Sequence, residues 1–120
     1  MTIGKYVALA VALALPAAAL AQDAEVKFWL KGAPGNIQGC IAADSQFTRE
    51  HTFTLKNGQA EVRMPGNIHV KLKLAKPNVY TGDFDLGRLN LDMVVDLAAT
   101  PKTLTVTEKN LGCKWSAIKQ

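Results

Sequence analysis

The sequence predicts an all-β fold, a single small antiparallel β-sandwich of about eight strands, from three observations. Two alternating runs meet at Asn57-Gly58. Further runs of period two recur between short breaks rich in Gly, Pro and Asn. Two cysteines, Cys40 and Cys113, stand far apart in the chain and can form one long-range bridge.

The Asn57-Gly58 hairpin fixes a register. A two-residue primed turn there pairs Lys56 with Gln59, Leu55 with Ala60, Thr54 with Glu61, Phe53 with Val62, Thr52 with Arg63 and His51 with Met64. The pairs Leu55 with Ala60, Phe53 with Val62 and His51 with Met64 fall on one face, which is the core face. Glu50 would next need a hydrogen bond from Pro65, which has no N–H, so the ladder is expected to stop there. That places His51 and Met64 at the rim of the core.

From the N-terminus, Lys5 is followed by an uncharged apolar run over residues 6–15, then Pro16 and the small-residue ending Ala19-Leu20-Ala21. Residues 1–21 read as a secretory signal peptide cleaved after Ala21. The run falls short of the roughly 20 apolar residues that span a bilayer, so no membrane span is expected in the mature chain. Residues 22–120 remain as a single domain, exported to a periplasm or the extracellular space. An oxidising compartment permits a Cys40–Cys113 disulfide. The formal charge is +4, which favours anionic partners, and export argues against nucleic acid.

Residues 24–31 alternate, with Ala24, Val26, Phe28 and Leu30 on one side and Glu25, Lys27, Trp29 and Lys31 on the other. Trp29 is a large aromatic on the charged side. It is either an anchor for a partner or covered by a second layer. Residues 32–36 form a loop, and residues 47–55 read as extended. Residues 68–74 alternate most cleanly, with Ile68, Val70, Leu72 and Leu74 inward and His69, Lys71 and Lys73 outward. That basic face suits an acidic partner, although strand lysines also guard sheet edges.

Residues 79–85 set Tyr80 and Phe84 against Asp83 and Asp85, and residues 88–97 set Leu89, Leu91, Met93, Val95 and Leu97 inward. A turn at Leu86-Gly87 would pair Phe84 with Leu89 and Tyr80 with Met93, but Leu86 is poorly suited to φ > 0. Thr100-Pro101 breaks the chain. Residues 102–108 and 113–118 give the last two strands, and Trp115 shares the parity of Cys113, which sets it in the core beside the bridge. No helix of useful length and no internal repeat is expected.

Chemistry-bearing residues are sparse. Asp44, Ser45 and His51 are sequence neighbours, whereas a catalytic triad is a matter of geometry. The stretch Asp83-Phe84-Asp85-Leu86-Gly87 lacks the further ligands of a calcium loop. His51, Met64 and Met93 could face inward as soft-metal ligands, but His69 points away and the set is incomplete, so neither metal nor cofactor is expected.

A long-range bridge with a tryptophan of matching parity suits an immunoglobulin-like sandwich, with a small closed β-barrel as the alternative. The function expected is that of an exported, non-enzymatic binding module. Its site would comprise Trp29, His69, Lys71 and Lys73, and its partner would be an acidic protein or an anionic envelope component. The alternatives are a small periplasmic carrier of an apolar ligand and a His/Met metal-binding protein.

Overall fold

The computed structural model describes residues 22–120, and the signal-peptide reading lies outside the described residues. Nine strands form one antiparallel sheet: β1 (Ala24–Trp29), β2 (Lys31–Gly32), β3 (Glu50–Lys56), β4 (Gln59–Met64), β5 (Ile68–Lys76), β6 (Val79–Leu86), β7 (Leu89–Asp96), β8 (Thr103–Glu108) and β9 (Lys114–Ile118). Two one-turn helices, α1 (Gln38–Ile41) and α2 (Asp44–Phe47), lie between β2 and β3.

The strand order is β1-β3-β4-β5-β6-β7-β8-β9-β2. Only Leu30 separates β1 from β2, so the two ends of the sheet are halves of one bent strand. That strand turns from β3 to β9. Its last pair with β3 is Trp29 with Glu50, its first with β9 is Lys31 with Ser116, and Phe28 bridges Lys119. Gln120 donates its backbone N–H to Lys27 at 3.0 Å and Ala33 donates to Lys114 at 2.9 Å, extending the seam in both directions. The all-β class is as the sequence implies. The order is a meander that closes on itself, as in the barrel form, and not the crossing order of an immunoglobulin-like sandwich.

Alternation fills the interior. Phe28, Leu30, Phe53, Val62, Leu91, Met93, Val95, Leu104, Val106 and Trp115 are all fully buried. One end of the ring is stopped by the helical segment. Phe47 of α2 is fully buried, its ring 4.4 Å from that of Trp115, and the indole Nε1–H of Trp115 donates to Asp44 at 2.8 Å. Residues 37–48, in part expected to be extended, are therefore a helical plug. Neither helix was legible, because each is one turn long and makes no side-chain cap. The Cys40–Cys113 disulfide ties the plug to the entry of β9.

The first hairpin has the expected register, with Asn57 at φ 53° and Gly58 at φ 78°, from Lys56 with Gln59 to Thr52 with Arg63. It ends one pair earlier than expected. His51 opposes Phe28 on β1 and is fully buried below α2, so it is not at the rim. The second hairpin corrects the expected register: Leu86 pairs with Leu89, Phe84 with Leu91 and Tyr80 with Val95. Gly87, at φ 62°, takes the first central position of the turn that Leu86 could not take without strain. The correction shifts the partners by two residues, which preserves the faces.

β5 serves two neighbours. Residues 68–72 pair with β4, whereas Lys73, Leu74 and Lys76 pair with β6, with an irregularity between Leu74 and Lys76. Gly82 of β6 lies where β5 changes partner, its backbone packed against the carbonyl of Lys71.

Candidate functional site

The handover in β5 creates a groove. The β4–β5 ladder ends at Ala60 with Leu72, and β5 then leaves the Asn57-Gly58 tip to join β6. The opening, about 910 Å³, has Ala60, Leu72, Leu74 and Tyr80 among its lining and is edged by Lys56, Lys71 and Lys73. It lies at the end of the barrel away from the helical plug. Tyr80 is buried, with its ring 5.4 Å from that of Phe53, whereas Leu74, opposite it on β5, is 60% exposed. An apolar side chain on the inner face is thus left open to solvent where the sheet parts.

His69, Lys71 and Lys73 occupy the outer face of β5, as their parity requires. The neighbouring strand changes their electrostatics. Glu61 stands opposite Lys71, Arg63 opposite His69. The Nδ1–H of His69 donates to Glu61 at 2.7 Å, and its Nε2 lies 3.1 Å from Asn67 Oδ1, so the ring is held by its own hairpin. Among the described residues, Lys56, Lys71 and Lys73 have no carboxylate within salt-bridge reach. The cationic part of the site is therefore these three lysines. Lys56 sits beside the hairpin turn at the end of β3, so the alternation of β5 alone does not reveal it.

Trp29 does not join this group. It is on β1, separated from β5 by β3 and β4, and among the described residues no second layer covers it: it is 49% exposed. The centre of the barrel, where an apolar cargo would sit, is occupied by the protein's own side chains. Among the described residues no helix is long and apolar enough to cross a membrane.

The remaining polar groups have local roles. Asp44 holds the indole of Trp115, and Nδ1 of His51 faces the carbonyl of Arg49 at 3.0 Å, so the two do not act on a common group. Asp83 and Asp92 oppose each other on β6 and β7, and Lys109 lies 3.4 Å from each. Their mutual hydrogen bond lowers the pKa of Asp83 and raises that of Asp92, with Lys109 supplying the positive charge beside them. No group of three or more His, Cys, Asp or Glu side chains among the described residues is arranged to hold a metal ion.

Glu108 is a structural carboxylate that the alternation pattern did not distinguish. It is buried at the end of β8 and accepts backbone N–H groups from Asn90 at 2.9 Å, Asn110 at 2.7 Å and Leu111. It thereby ties the β8–β9 turn to the start of β7. These bonds hold its pKa below the ordinary 4.5, whereas burial lowers that of His51 from 6.5.

Both groups make the fold acid-sensitive, in separate windows. As pH falls through about 6.5, the unfolded chain binds a proton that buried His51 refuses, and stability declines until the folded His51 also titrates. Below 4.5 the unfolded chain protonates Glu108 before the folded one does, which removes a second contribution. Denaturant titrations between pH 8 and 3 are expected to show both declines. His51→Leu should flatten the first. Glu108→Gln should weaken the fold at neutral pH and flatten the second. A profile unchanged by either substitution would contradict the assignment.

No protein-family model matches the chain, and no curated protein or solved structure is significantly similar to it. The functional reading therefore rests on geometry and charge.

Proposed function

We propose that this protein is an exported, non-enzymatic binding module whose β5 groove takes an acidic segment of a partner protein. One observation carries the reading: three lysines with no carboxylate within salt-bridge reach among the described residues edge an apolar floor at a break in the sheet, and the one carboxylate in the lining, Glu61, is bonded to His69. The floor offers Leu72, Leu74 and Tyr80 to an apolar anchor, and the lysines meet flanking carboxylates. The Cys40–Cys113 disulfide is compatible with an oxidising, exported compartment. An anionic envelope component is the competing partner for the same lysines.

Charge reversal tests the reading. Lys71→Glu with Lys73→Glu should weaken binding of acidic envelope proteins by roughly tenfold or more, mainly through slower association. Both side chains are exposed, so the same change should cost no more than about 1 kcal/mol of stability, through the like charge it sets opposite Glu61. Capture from envelope extract with the native and reversed proteins, at two salt concentrations, provides the measurement. A captured set indifferent to the reversal would reject the groove, and capture of anionic lipid vesicles in place of protein would reject the partner class.

A further inference from the structure

On the opposite side of the ring from β5, the outer face of the barrel seam carries a different chemistry. Phe28 bridges Lys119 and Lys31 opposes Ser116, so the same register sets Trp29 opposite Ile118. Across β9, Ile118 opposes Thr103 and Ser116 opposes Thr105. Two adjacent rows result. One is Trp29, Ile118, Thr103, and the other is Lys31, Ser116, Thr105. Rows two residues apart are separated by about 6.8 Å and neighbouring strands by about 4.8 Å, a platform for one or two sugar rings.

Trp29 is 49% exposed and Ile118 61%. Together with Lys119 and Gln120 these rows line a shallow depression of about 680 Å³ that includes no acidic residue.

We infer that this seam face is a second binding site, for an anionic saccharide. The C–H face of a pyranose packs on the indole and the adjoining isoleucine. Its hydroxyls meet Ser116, Thr103 and Thr105, and a uronate carboxylate meets Lys31. A peptide strand is the poorer occupant. β9 is already paired with β8 on one side and with β1 and β2 on the other, so its backbone has no free edge for strand addition. The inference is independent of the β5 groove, because no residue is shared between the two linings.

Calorimetric titration of the full mature chain tests it, using a short oligogalacturonate, an uncharged maltooligosaccharide, sodium sulfate and an acidic peptide. The oligogalacturonate should bind saturably, losing roughly tenfold in affinity in Trp29→Ala and on the order of threefold in Lys31→Gln. It should bind equally well to the variant reversed at Lys71 and Lys73, a result that separates this site from the groove. Trp29 and Ile118 also shield the seam, so thermal melting must accompany the first variant. Lys31→Gln combined with Thr105→Ala keeps the apolar pair and tests the polar row alone. Absence of saturable saccharide binding, equal binding of the uncharged sugar, tighter binding of the peptide at this face, or affinity unchanged in the polar-row variant would each overturn the proposal.

Discussion

Replacing Gly82 by alanine is expected to destabilise the fold by about 3 kcal/mol, a large loss for one methyl group on a strand. In an unconstrained strand the same change would help slightly, because glycine loses more backbone freedom on folding. Here the added Cβ would lie 2.6 Å from the carbonyl oxygen of Lys71 and 2.7 Å from Cδ2 of Leu72. Leu72 can rotate, but the carbonyl is backbone and moves only if β5 moves. Since β5 changes partner from β4 to β6 at this point, the displacement would be felt by both ladders. Chemical denaturation of Gly82→Ala provides the measurement. Gly35→Ala, with nothing within 4 Å of the added Cβ, is the matched control and should be close to neutral. If Gly82→Ala behaved like the control, the close approach at the corner would be refuted. If the proposed groove binds a partner, a folded Gly82→Ala protein should bind it more weakly, because the same corner places Leu72 and Lys71 in the groove.

Removing the disulfide is the second large effect. The bridge closes a loop with a sequence separation of 73 residues, and a loop of that length contributes about 4 kcal/mol in the chain-entropy model. Both cysteines are buried, so Cys40→Ala with Cys113→Ala also loses a little apolar packing. The structural consequence is local. Without the bridge the helical plug is held mainly by Phe47 against Trp115 and by the indole bond to Asp44. Hydrogen exchange should therefore quicken in residues 37–48 before the ladders of β6, β7 and β8 are affected. Equal stability of the bridged and double-alanine proteins would count against this account. So would uniform exchange across the whole sheet.

Val26, Phe28, Phe53, Val62, Val70, Leu91, Met93, Leu104 and Trp115 all face inward as their parity requires. The Asn57-Gly58 turn sets its own register because both residues accept positive φ, and the failure at Leu86-Gly87 has the same cause, since the turn moved to begin on the glycine. Pairing by local turn chemistry was thus readable, and so was the bridge, there being only one way to pair two cysteines.

The candidate site was readable only in part. Lys71 and Lys73 are on the expected face, but Lys56 reaches them from a different strand and Trp29 lies on another side of the ring. His69 is held by Glu61 across a register that the parity of β5 alone does not contain. His51 came out buried because a plug of two one-turn helices, too short to leave a periodic signal, covers it.

The sequence by itself determined the alternation of every long strand, the primed turn, the bridge and the balance of charge, because each depends on neighbours within a few residues or on a count. Only the tertiary structure decided that the sheet closes on itself, that β5 parts from β4 to open a groove, and that Trp29 and Ile118 meet at the seam. Those features arise where strands distant in sequence are brought side by side. Their registers are fixed by packing inside the ring, and a period-two pattern records the face of a residue but not the strand that lies next to it.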